Sequence, residues 1–80
     1  MKLRVKLYGT LRNRFDNHDP EHGLEAELPD GSDVRMLLDR LGLLRSEIGI
    51  VSMNGKQLVR ADESLEEDAL VRIFQPIFGG

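Results

Sequence analysis

Cysteine is absent from the 80 residues of this chain, and its absence removes several chemistries at once. There is no disulfide framework, no thiolate nucleophile and no cysteine-ligated metal. Any sulfur chemistry must use a group other than a side-chain thiol. Long apolar runs are missing too. Met1-Lys2-Leu3-Arg4-Val5-Lys6 alternates charged and apolar side chains, which predicts neither a signal peptide nor a membrane span and so a cytoplasmic protein with no membrane partner. Positive charge is not in excess. At a net charge of −3 the chain lacks the basic footprint that phosphate attraction needs, so nucleic acid is not an expected partner. A catalytic set is also hard to find. Ser32 and Ser46 have no base at triad spacing, and no Gly-x-x-x-x-Gly-Lys phosphate loop is present. His18 and His22, with Asp16, Asp19 and Glu21, share a polar segment with no helix to fix ligand spacing, so no metal site is expected there.

What remains is a single small domain with clear local signals and no repeat or low-complexity tract. Leu3, Val5 and Leu7 alternate with Lys2, Arg4 and Lys6, the period of a strand with one buried face. Leu24, Ala26 and Leu28 repeat the pattern with Glu25 and Glu27 on the other face. Pairing the two strands as an antiparallel hairpin sets basic groups opposite acidic ones, a contribution of about 0.2–1 kcal/mol per good pair. Between them lies the polar stretch Asn13 to His22, with a short helical turn expected around Leu11 to Phe15. Pro29-Asp30-Gly31 marks a turn, Ser32 stands where a helix cap is expected, and Val34, Leu37, Leu38 and Leu41 form one apolar stripe that Gly42 ends.

Ile50 to Met53 and Lys56 to Val59 flank Asn54-Gly55, a strong signal for a type I′ hairpin. Asp62 to Asp68 reads as a polar turn. Val71 and Ile73 then alternate with Arg72 and Phe74 in a last strand that Pro76 terminates. The predicted order is β-β-α-β-β-β, an α+β domain in which one helix covers one face of the sheet. Pairing the first and last strands in parallel at the sheet centre would send the chain out from one edge. Charge is segregated: Lys2, Arg4, Lys6, Arg12 and Arg14 lie in a segment without acids, whereas Asp62, Glu63, Glu66, Glu67 and Asp68 form an acidic patch. Such a polarity can orient a charged partner.

The sequence finishes Gln75-Pro76-Ile77-Phe78-Gly79-Gly80. Two glycines before a free carboxylate leave no Cβ to block entry into a partner's active site and hardly restrict φ. From Phe74 onward the chain, if extended, reaches about 20–25 Å. Phe74 is expected on the face away from the helix. With Ile77 and Phe78 it forms an apolar cluster beside the tail, a candidate docking surface.

Taken in order, several pieces resemble the MoaD/ThiS group of ubiquitin-like sulfur carriers, nearest its molybdopterin branch. They are Leu7-Tyr8-Gly9-Thr10-Leu11-Arg12, Asp30-Gly31-Ser32 before a helix containing Leu37-Leu38, Met53-Asn54-Gly55 at the tight turn, Leu65, Pro76 and the final Gly79-Gly80. The resemblance spans nearly the whole chain. Where the family usually has Gly-Asp-Glu-Val this chain has Asp68-Ala69-Leu70-Val71, and an aspartate accommodates a left-handed turn at modest cost. The extra residues in Asn13 to His22 favour the molybdopterin branch over the shorter thiazole-forming one.

The resemblance implies a β-grasp (ubiquitin-like) fold: a mixed sheet of four to five strands with one main helix packed on one face. Residues 1–74 would be the domain and 75–80 a flexible diglycine tail. It implies a carrier, not an enzyme, that binds no resident cofactor. Gly80 would be the reacting residue, bearing a transient acyl-adenylate from ATP and then a thiocarboxylate. Pro76, Ile77, Phe78 and Gly79 would thread into partners, and Phe74, Ile77 and Phe78 would dock them. The implied partners are an E1-like activating enzyme of the MoeB/ThiF type, a sulfur donor such as a cysteine desulfurase or rhodanese, and a molybdopterin synthase large subunit of the MoaE type. Sulfur supply for the thiamine thiazole or another metabolite, and ubiquitin-like conjugation through Gly80, are the alternatives.

Overall fold

The computed structural model describes residues 1–19 and 21–76. Five strands and one α-helix follow one another as β1 (Lys2–Leu7), β2 (Leu24–Glu27), α1 (Val34–Leu41), β3 (Val51–Met53), β4 (Lys56–Leu58) and β5 (Leu70–Ile73). Two short 3₁₀ turns, Gly9–Arg14 and Arg45–Glu47, lie in the connections. The strands form one sheet in the order β2-β1-β5-β3-β4, with β1 parallel to β5 and every other neighbour antiparallel. The expected β-β-α-β-β-β order and the mixed sheet with its helix are both present.

Alternation along β1 and β5 explains the central position of these two strands. Val5 stands beside Val71 and Leu7 beside Ile73, and none of the four is more than 2% exposed. Val34, Leu37 and Leu38 of α1 join these strand residues in one continuous core. The other face carries Lys2, Arg4, Lys6 and Arg72, as the alternation predicts. In the β1–β2 hairpin Lys2 faces Glu27 and Arg4 faces Glu25. The ion pair that forms is the diagonal one, Lys2 Nζ to Glu25 Oε1 at 3.9 Å.

The start of α1 departs from expectation. Its cap is Asp33, whose carboxylate accepts from the Met36 amide at 3.0 Å. Ser32, the expected cap, is buried and donates its hydroxyl proton to the Pro29 carbonyl at 2.6 Å. Both residue types cap helices; the choice is made by the 59–69 loop, which lies across the helix start. Ser32 carbonyl accepts from Leu65 N at 2.9 Å, and the Val34 and Arg35 amides donate to the Glu63 and Ala61 carbonyls. That packing draws Ser32 inward and leaves Asp33 over the first turn. At the other end the chain turns left-handed at Gly42, as expected.

The helical turn after β1 begins at Gly9 rather than near Leu11. The β3–β4 hairpin is shorter at both ends than the expected Ile50 to Val59, while Asn54 and Gly55 take φ of 51° and 87°, the pair of positive values a type I′ turn requires. Asp68 adopts φ of 61°, the left-handed conformation expected of it from the sequence resemblance. Three of the acidic side chains are engaged within the fold. Glu63 accepts from Val59 N and Arg60 N, Asp62 pairs with Arg60, and Glu67 accepts from Lys2 N at 2.6 Å.

Candidate functional site

The parallel register carries one step past the strands. Leu7 pairs with Ile73, so the next residues, Tyr8 and Phe74, fall side by side on the face that α1 does not cover. Their rings stack with centroids 4.5 Å apart and planes 13° from parallel, an aromatic pair worth about 0.5–1.5 kcal/mol beyond burial. Arg72, two residues earlier on the same face, donates from Nε to the Tyr8 hydroxyl at 3.2 Å. Phe74 thus lies where the alternation placed it, half-buried. Its backbone is held as well: Phe74 N donates to Ile50 O at 2.9 Å and Gly49 N to Phe74 O at 2.7 Å.

Gln75 is tied to the opposite side. Its Oε1 accepts from both Thr10 N at 2.8 Å and Thr10 Oγ1 at 2.9 Å. Two glycines wall the path. A Cβ added to Gly9 would lie 2.3 Å from Gln75 Oε1, and one added to Gly49 would lie 3.0 Å from both Gln75 O and Pro76 Cα. Gln75 and Pro76 therefore run between the Gly9 turn and the Gly49 loop. A cleft opens on each side of them. One, of about 720 Å³, is bounded by Tyr8, Gly49, Ile50 and Phe74; the other, of about 400 Å³, by Thr10, Arg14, Ser46 and Glu47. Arg14 forms an ion pair with Glu47 and donates to Gly42 O at 3.3 Å, joining the two 3₁₀ turns below the second cleft.

Of the residues singled out in the sequence, Phe74 and Pro76 belong to this site. Ile77, Phe78, Gly79 and Gly80 lie outside the described residues. Tyr8, Thr10, Gln75, Gly9 and Gly49 carry much of the local geometry without having been assigned roles beforehand. For Tyr8 the signal was available: it follows Lys6 in the alternation and must share the uncovered face. The polar loop before β2 has a local purpose. His18 Nε2 accepts from Leu7 N at 3.1 Å, capping β1 where β2 no longer pairs with it. The amides of Glu21 and His22 donate to Asp19 Oδ1 and hold its carboxyl below the usual carboxylate range. Among the described residues no three histidine or carboxylate side chains come together as metal ligands, and no helix is long and apolar enough to cross a membrane.

No protein-family model matches the chain, and no curated protein matches it by sequence. Solved structures do. The Pyrococcus furiosus protein assigned as molybdopterin converting factor, subunit 1, superposes with a TM-score of 0.72 at 23% identity, covering 95% of this chain and 98% of that one. Small archaeal modifier protein 1 of Haloferax volcanii gives a TM-score of 0.70 at 18% identity, over 95% and 98% of the two chains. The complex of subunits 1 and 2 of the molybdopterin-converting factor of Helicobacter pylori contains a chain that matches along its whole length, with a TM-score of 0.61 at 16% identity. The chain has the β-grasp fold. In a β-grasp domain of this topology the last strand occupies the sheet interior, so the segment after it leaves from a root supported on both sides, by β1 through Tyr8 and by β3 through Ile50. The resemblance to the MoaD/ThiS group noted in the sequence is matched by this likeness of fold.

Proposed function

We propose that this protein is a ubiquitin-like sulfur carrier of molybdopterin biosynthesis, whose reacting group is the carboxylate of Gly80. The observation that supports this most strongly is the placement of Phe74–Pro76: a rigid β-grasp base delivers the chain to its edge four residues before Gly80. A carboxylate is a poor electrophile. An E1-like partner would join it to the α-phosphate of ATP, releasing pyrophosphate, and sulfide-level sulfur from a donor would then displace AMP to leave a thiocarboxylate. The carrier supplies no nucleophile, base or metal; those belong to its partners. Phe74, with Ile77 and Phe78, would dock against the activating enzyme and the synthase large subunit. A partnership with a second subunit is supported by the likeness to a chain of the Helicobacter pylori complex.

The likeness to a small archaeal modifier protein favours a second reading with the same activation step, in which Gly80 is joined to lysines of other proteins. One experiment addresses both. The protein is incubated with ATP and an activating enzyme of this class and its mass followed. Acyl-adenylate should form on the natural chain and disappear when one alanine is added after Gly80. Adenylation of the extended chain overturns the assignment of Gly80. Mass spectrometry of the protein recovered from cells separates the readings: oxygen replaced by sulfur at the terminus for the carrier, lysine conjugates for the modifier.

A further inference from the structure

A chain leaving the end of a strand ordinarily frays within a residue or two, yet here three consecutive residues beyond β5 are held by different devices. Phe74 is fixed by two backbone hydrogen bonds and the Tyr8 ring. Pro76 lies against Gly49, where a side chain would press on its Cα. Between them Gln75, whose backbone has no hydrogen-bond partner among the described residues, is secured through its side chain, by two donors converging on one oxygen. Those donors sit on Thr10, 65 residues away in the chain.

We propose that Thr10 and Gln75 form a clip that fixes the direction and free length of the segment ending at Gly80, and that both are positioning residues for its entry into a partner's active site. This role rests on the carrier reading above. With the clip closed, the chain beyond Pro76 can reach at most about 13–14 Å into a partner, four residues at 3.3–3.6 Å each. With it open, Gln75 and Pro76 are released from the domain, and a partner must order these two residues each time it engages the tail. The chemistry of the clip is specific. It needs one atom that accepts twice, which an amide or carboxylate oxygen does and a thioether sulfur does only weakly. Gln75→Glu and Thr10→Ser therefore retain it, whereas Gln75→Met, of similar length and shape, loses both bonds. Gly49→Ala displaces the root from the other side without touching the clip donors.

Two measurements on the full chain test the proposal. In the isolated protein, Gln75→Met should speed hydrogen exchange at the Thr10 amide at least tenfold and lower the backbone order parameter of Gln75 to about 0.6 or below, the range of flexible backbone. Exchange at Val5 and Val71, in the sheet centre, should not change. Gln75→Glu and Thr10→Ser should behave as the natural chain. In adenylation by the activating enzyme, Gln75→Met should lower kcat/KM by about tenfold, the scale expected for immobilising an additional flexible group, with Gln75→Glu restoring it. Unchanged Thr10 exchange and Gln75 order in Gln75→Met overturn the clip, whatever the protein's function. A loosened root with undiminished kcat/KM overturns the positioning role. If the natural chain itself is not adenylated, the carrier reading and the positioning role fail together, and the first measurement still decides whether the root is clipped.

Discussion

Replacing Asp33 by alanine should destabilise the domain by about 1–2 kcal/mol, and the structure shows where that figure comes from. The opening turn of α1 is fully accounted for: Val34 N and Arg35 N donate to Glu63 O and Ala61 O, Met36 N to Asp33 Oδ1, and Leu37 N to Asp33 O. Alanine removes only the third of these. Met36 is 41% exposed, so water can take the place of the carboxylate, and the loss lies near the lower end of the usual cap range, about 0.5–1 kcal/mol. The negative charge at the N-terminal end of the helix adds about 0.3–1 kcal/mol. Asp33→Asn isolates the second contribution, since it keeps an acceptor and discards the charge. For a domain this small, 1 kcal/mol corresponds to roughly 4–8 °C in Tm, or to about 1 M in a urea midpoint. Urea denaturation of the natural chain, Asp33→Asn and Asp33→Ala should give midpoints in descending order. If Asp33→Ala unfolds at the midpoint of the natural chain, the cap lies elsewhere and the account of the loop that selects Asp33 over Ser32 is wrong.

Two further expectations concern the core and the acid limb. Leu38 is 4% exposed, and Leu38→Ala should cost about 2–5 kcal/mol; a midpoint unchanged within error would remove α1 from the sheet. Glu63 is held below its ordinary range by the Arg60 and Val59 amides, and Asp62 by the Arg60 guanidinium. The unfolded chain therefore binds more protons in acid, so the stability these groups add is present above roughly pH 4–4.5 and is lost as pH falls below that. The difference in urea midpoint between the natural chain and Glu63→Gln should shrink from pH 7 to pH 3, and an equal difference at both would exclude the carboxylate as its source.

The period of each element, and the face it buries, are legible in the local order of side chains. Side-chain direction follows from backbone geometry, so Leu3, Val5 and Leu7, or Val34, Leu37 and Leu38, declare their burial without reference to any partner. Asn54-Gly55 declared its turn for the same local reason, the steric permissiveness of those residues at positive φ, whereas a left-handed Asp68 was expected only from the resemblance to a family with glycine there. Tertiary structure decided what each exposed or polar group meets. Ser32 and Asp33 are both competent caps, and only the 59–69 loop across the helix start turns one inward and leaves the other to the Met36 amide. The acidic residues from Asp62 to Glu67 looked like a surface for a partner, but folding supplies several of them with amides and with Arg60. Tyr8 meets Phe74, and Gln75 meets Thr10, because β1 and β5 run parallel with Leu7 beside Ile73. Alternation specifies a face; the neighbour on that face depends on a strand register between segments more than sixty residues apart, which no local propensity encodes.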